Sequence, residues 1–187
     1  SLYQLRGISS SKNGLFDKLE FILGKMEKGA TKSYSTTVEI PKNSLDREDE
    51  VTVKFDELNH NNPKDIKLNI ITEALPRPHF AYSYQVLDNA KNSSKNNADG
   101  LIQTGEDIDL LVFVKNIGEG PAEKNVITLK NLSNKEVFIK NGRAEIGLLN
   151  PGEMKEVKLS FFVKETIPSD KFNMDLLISD SIFGTFL

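Results

Sequence analysis

The chain has 187 residues, with 27 acidic and 24 basic side chains and a net charge of -3, which allows one large domain or two small ones. A hydrophobic content of 38% suffices for a packed core, and the basic residues, interleaved with acids, form no block of the kind a nucleic-acid surface needs. The absence of cysteine excludes disulfides and thiolate zinc sites, and no apolar run approaches the roughly 20 residues of a membrane-spanning helix.

The opening "SLYQLRG" reads as a strand, followed by the polar loop "SSSK". Ser9 lies three residues before Lys12, the spacing of a Ser–Lys nucleophile pair, but no apolar helical frame surrounds it. The match is read as coincidence. Asn13-Gly14 is a hairpin turn signal. In "EFILGKMEKGATKSYSTTVEIP", Gly24 and Gly29 mark structural turns, and Tyr34, Thr36, Val38 and Ile40 alternate as one face of a strand. "SLDREDE" offers one turn of helix at most. Val51, Val53 and Phe55 line one face of "DEVTVKFDE", and Ile66, Leu68 and Ile70 one face of "DIKLNIIT". The acids Asp46, Glu48, Asp49 and Glu50 read as a solvated rim, since no buried pocket beside them would raise a carboxyl pKa for catalysis. His60 sits in a polar turn, remote in sequence from His79, the other histidine.

"EALPRPHF" reads as a short, stiff linker, because Pro76 and Pro78 each fix φ and remove a donor. Phe80, Tyr82 and Tyr84 then alternate as the inward face of a strand; a peptide-contacting stripe is the sharper alternative. "KNNADGLIQTGE", residues 95–106, approaches the EF-hand pattern, which has ligands at positions one, three and five, glycine at six and glutamate at twelve. Lys95 stands where the first carboxylate belongs, and strand patterns replace the flanking helices. The segment therefore reads as a turn in which Gly100 and Gly105 accept positive φ. The competing reading is a calcium site on Asn97, Asp99 and Glu106; no other cofactor is expected. "DIDLLVFVK" places Ile108, Leu110, Val112 and Val114 on one face. "GEGPA" lacks the Lys-Ser/Thr and helix of a phosphate loop. Asn141-Gly142 predicts a type I′ hairpin between "VFIK" and "RAEIG", and Pro151-Gly152 the centre of a type II turn.

The chain also repeats itself. At an offset of 123 residues, Gly24 and Gly29 fall on Gly147 and Gly152. Tyr34, Thr36, Val38 and Ile40 fall on Val157, Leu159, Phe161 and Val163, and Val51, Val53 and Phe55 on Met174, Leu176 and Ile178. Further upstream, "SLYQLRG" is set against "NVITLKN". Two copies of one unit are predicted, with nothing before residue 1 to match residues 79–124. The expected organisation is all-β: a partial immunoglobulin-like β-sandwich at 1–74 lacking its opening strands, a linker at 75–78, and a complete sandwich at 79–187.

The kinked "VKNIGEGPA", with Asn116, Gly118 and Gly120, together with "DIDLLVFVKN" and "GLLNPGE", resembles immunoglobulin-like modules of the CARDB type. More narrowly, "ALPRPHFAYSYQV" ahead of that module resembles the non-catalytic region after the protease domain of bacterial carboxyl-terminal processing serine peptidases. The resemblance implies a periplasmic or extracellular accessory module that spaces a protease or aids recognition. The family's catalytic serine and lysine match nothing in this chain. The alternative is a cell-surface adhesion or stalk module. Either way the expected partners are protein or peptide, with self-association through sheet edges, no nucleic acid and no membrane insertion.

Overall fold

The computed structural model describes residues 1–88, 97–132, 135, 137–165 and 171–185. Every helix or strand among them is a strand, and the strands form three antiparallel four-stranded sheets. The chain divides into two compact units, Ser1–Leu75 and Pro76–Leu187.

The first unit holds β1 (Leu2–Ser11), β2 (Glu20–Met26), β3 (Arg47–Asp56) and β4 (Ile66–Thr72) in the order β2-β1-β3-β4. It is one sheet, with no second sheet facing it among the described residues of the unit. Register fixes its inner face. Val51 lies opposite Leu68 and Val53 opposite Ile66 and Ser9, and directly opposed residues share a face. Val51 and Val53 are buried, while Ile66 and Leu68 remain about half exposed. The strand expected over residues 34–40 does not form. That stretch has no regular structure and is mostly exposed, because a strand is held by its neighbours and none is at hand.

The second unit holds β5 (Phe80–Leu87), β6 (Asp107–Asn116), β7 (Ala122–Asn131), β8 (Val137–Asn141), β9 (Arg143–Leu149), β10 (Met154–Val163), β11 (Met174–Asp180) and the two-residue β12 (Gly184–Thr185). Its sheets run β5-β6-β10-β8 and β12-β11-β7-β9. One apolar core draws on both, with Ile108, Val112 and Val114 of β6 and Leu159 of β10 joined by Ile127 of β7 and Ile178 of β11. Two sheets around one core make a β-sandwich. Here the alternation in β6 has its predicted effect: all four of its even-numbered apolar residues from 108 to 114 are buried.

The hairpin predicted at Asn141-Gly142 is corrected by this topology. β8 pairs with β10, and β9 pairs with β7 in the other sheet. Residues 141–142 therefore carry the chain from sheet to sheet, and neither has positive φ. At Asn13-Gly14 the strands β1 and β2 do pair, but across a longer loop. Asn13 opens a turn closed by Phe16 N donating to its carbonyl at 2.9 Å.

Each unit carries a β-bulge beside a glycine. Leu5 pairs with Gly24 and Arg6 with Ile22; Asn125 pairs with Gly147 and Val126 with Glu145. Each skips one residue beside a glycine, at φ +68° for Gly24 and +72° for Gly147. The order β2-β1-β3-β4 thus repeats β9-β7-β11-β12. The bulges also correct the upstream alignment, since Leu5 rather than Ser1 is the counterpart of Asn125. Gly29 and Gly152 share the second turn, at φ +77° and +79°. Ala30 N donates to Glu27 O, and Glu153 N to Asn150 O, each at 3.0 Å.

Candidate functional site

Strand β5 lies at the edge of its sheet and, among the described residues of its unit, is bonded only to β6. Ile117 N donates to His79 O at 2.7 Å, which makes residues 79 and 117 a hydrogen-bonded pair. Antiparallel pairs alternate, and the register runs unbroken through Ala81↔Lys115, Ser83↔Phe113 and Gln85↔Leu111. Tyr82, Tyr84 and Val86 therefore turn their N–H and C=O groups away from β6, toward the open edge. Their side chains share one face and line an apolar cleft of about 310 Å³ with Leu110, Phe161 and Met174. Phe172 closes on Phe161 edge-to-face, with centroids 6.0 Å apart. Of the aromatic stripe read from sequence, Phe80 packs against the core, whereas Tyr82 is 44% and Tyr84 62% exposed.

A buried asparagine sets the start of β5. Asn116 is fully buried. Its Nδ2 donates to Gly120 O at 2.8 Å and Leu149 O at 3.0 Å, while its Oδ1 accepts from Gly118 N at 2.9 Å and His79 N at 3.3 Å. The turn so formed receives residues 76–79 at contact distance. A Cβ on Gly120 would fall 1.9 Å from Pro76 O, and one on Gly118 would fall 2.4 Å from Arg77 O. Pro76–Pro78, read from sequence as linker, are strapped across this turn within the second unit, and Arg77 lies over the Phe183 ring at 5.4 Å.

The loop before β6 is built as a turn. Asn97 Oδ1 accepts from Asp99 N, and Asp99 Oδ1 accepts from Leu101 N at 2.8 Å. Asp88 Oδ2 accepts from Gly100 N at 3.0 Å, and Glu106 Oε2 from Gln103 N at 2.8 Å. Gly100 and Gly105 stand at φ +81° and +82°. Lys95 lies outside the described residues. The described residues contain no group of three or more acids, histidines or cysteines placed to hold a metal ion.

Ser9 is buried, its Oγ donating to Phe16 O and accepting from Leu19 N. The rim reading of the acidic cluster fails at Asp49, which is buried beneath a bidentate Arg47 at 2.6 and 2.8 Å and accepts from Asn13 Nδ2 at 2.8 Å. The Arg47 guanidinium, helped by Asn13, holds its carboxyl below the usual range. Sequence reading missed Glu57. It is buried, accepting from Tyr3 N at 2.7 Å, Asn59 N at 2.9 Å and Asn61 N at 3.2 Å, and these backbone donors, Tyr3 foremost, lower its pKa. Asp180, the last residue of β11, is placed equivalently, its Oδ1 accepting from Ile182 N and Phe183 N. No sequence signal separates such turn-organising carboxylates from solvated ones.

No protein-family model and no curated protein matches this chain.

Proposed function

We propose that the chain is a non-catalytic interaction module that takes an extended polypeptide as an added strand along β5. The reading rests on one observation: the open β5 edge and the apolar cleft are formed by the same residues, Tyr82, Tyr84 and Val86. An added strand takes affinity from main-chain hydrogen bonds and selectivity from pockets that receive alternate side chains. The matching ligand is an extended segment with apolar residues at every second position. The CARDB-like pattern around Asn116, Gly118 and Gly120 supports an immunoglobulin-like assignment of the sandwich. The resemblance of the preceding segment supports a setting beside an exported carboxyl-terminal processing serine peptidase, outside the cytoplasm. There the module would hold an unfolded chain close to the protease domain.

Fluorescence anisotropy with a labelled eight-residue peptide of alternating valine and threonine tests this. Micromolar binding is expected, and Tyr84→Pro should abolish it while preserving the fold, because the N–H it removes points away from β6. Equal binding by the two proteins would sink the proposal.

A further inference from the structure

The chain carries two asparagine–glycine steps, Asn13-Gly14 and Asn141-Gly142, and neither takes part in the open edge of β5. Such a step has a chemistry of its own. The glycine nitrogen attacks Cγ of the preceding side chain, because no Cβ stands in its way. A C–N bond forms, the Cγ–Nδ2 bond breaks, and ammonia leaves with the proton of the glycine nitrogen. Water then opens the five-membered imide at either carbonyl, giving aspartate or isoaspartate. Asparagine is thermolabile through this route. It needs a side chain free to turn and a glycine N–H that is not engaged.

The structure separates two steps that look alike in sequence. Asn13 is buried, its Nδ2 donating to Asp49 Oδ2 at 2.8 Å and its Oδ1 accepting from Leu15 N at 3.1 Å. Turning that amide breaks a hydrogen bond to a charged group, the stronger kind. Asn141 is exposed, and its Nδ2 donates to Lys158 O at 3.1 Å at the surface. It ends β8, just after the ladder to β10 skips Lys140. Gly142 N donates no hydrogen bond among the described residues, whereas Gly142 O accepts from Leu129 N at 2.7 Å.

We infer that Asn141 is a site of spontaneous deamidation and that its conversion loosens β8. Isoaspartate puts one more methylene into the main chain between residues 141 and 142, where the chain passes from sheet to sheet. Gly142 has little room to take it up. Its carbonyl is held by Leu129 N, and a Cβ on it would fall 2.5 Å from Ile139 Cγ2. Strands β8 and β9 are both sheet edges. With five residues and one fully buried apolar side chain, Val137, β8 yields before β9, which has seven residues and buries Ile146 and Leu149. The outer edge of β10 then opens as a template for a further strand.

The full chain, aged at mildly alkaline pH and digested after glutamate, reports each asparagine separately, since residues 1–20 contain only Asn13 and residues 137–145 only Asn141. In the folded protein Asn141 should convert at least about ten-fold faster than Asn13, a barrier difference of about 1.4 kcal/mol. In guanidinium the two rates should draw level. Hydrogen exchange of the aged protein should quicken at β8 amides. Equally aged Asn141→Gln should show no such change, because its longer side chain does not close the five-membered ring. Equal conversion of the two asparagines in the folded chain, or a rate gap that survives unfolding, overturns the assignment of the site. Unchanged exchange at β8 after conversion overturns the loosening.

Discussion

Asn116 shows how one side chain can set the geometry of a strand. Its four hydrogen bonds tie the β6–β7 turn to β9 and to the start of β5. Asn116→Ala leaves two buried carbonyls and two part-buried N–H groups without that partner. Each such loss costs about 1–3 kcal/mol, with partial relief from entering water, so about 2–4 kcal/mol of stability should disappear in urea titrations. Glycines divide by the same kind of argument. Gly120→Ala drives a methyl into the Pro76 carbonyl and should unfold the strap or the unit. Gly24→Ala meets nothing within 4 Å and should cost only the left-handed penalty of about 1–2 kcal/mol. The sequence displayed the asparagine–glycine kink, and with it the site of Asn116, because the residue types themselves are unusual. It concealed Glu57 and Asp49, whose burial depends on chain segments distant in sequence. Those two carboxylates make a pH prediction. Both pKa values are lowered by folding, so both contribute stability above the ordinary carboxylate range, and that contribution drains away as pH falls through their lowered values. Tyrosine fluorescence during acid titration of a Tyr82→Phe, Tyr84→Phe variant, in which only Tyr3 and Tyr34 remain, should report the first unit loosening, and Glu57→Gln with Asp49→Asn should flatten that acid limb while lowering stability at neutral pH.

At the scale of elements, one pattern meets two fates. Residues 157–163 and 34–40 share a period-two alternation, yet only the first is a strand. Periodicity was enough to locate β3, β4, β6, β10 and β11, because each has a neighbour to bond. It misjudged 34–40, where the pattern is present and the neighbour is not, and it misjudged Asn141-Gly142, where a strong local turn signal yields to the pairing of β8 and β9 with different sheets. The β5 edge was half legible. The alternating aromatics were visible, but the outward turn of their backbone follows only from the register against β6. The contrast is measurable at equivalent positions. Leu159 is fully buried in β10, so Leu159→Ala should cost about 2–5 kcal/mol by guanidinium denaturation. Thr36→Ala, in exposed chain, should stay within about 0.5 kcal/mol.

At the scale of the whole molecule, the two units differ in what holds each together. The second buries a continuous core between two sheets, fourteen apolar residues among the described ones. The first buries Leu5, Phe16, Val51 and Val53 beneath one sheet, and relies on polar fastenings such as Asn13–Asp49 and the Glu57 turn. Stability follows buried apolar area at about 25 cal/mol per Å², and a small unit buries proportionally less of it. The first unit should therefore unfold first, as a separate transition. Calorimetry should resolve two endotherms, and native-state hydrogen exchange should place β1–β4 amides in a class that opens well before those of β6, β7 and β10. A peptide held along β5 should raise only the upper transition, because binding stabilises the unit that carries the site. One endotherm with uniform protection would mean that the sheet of the first unit draws its stability from a source other than its four buried apolar residues.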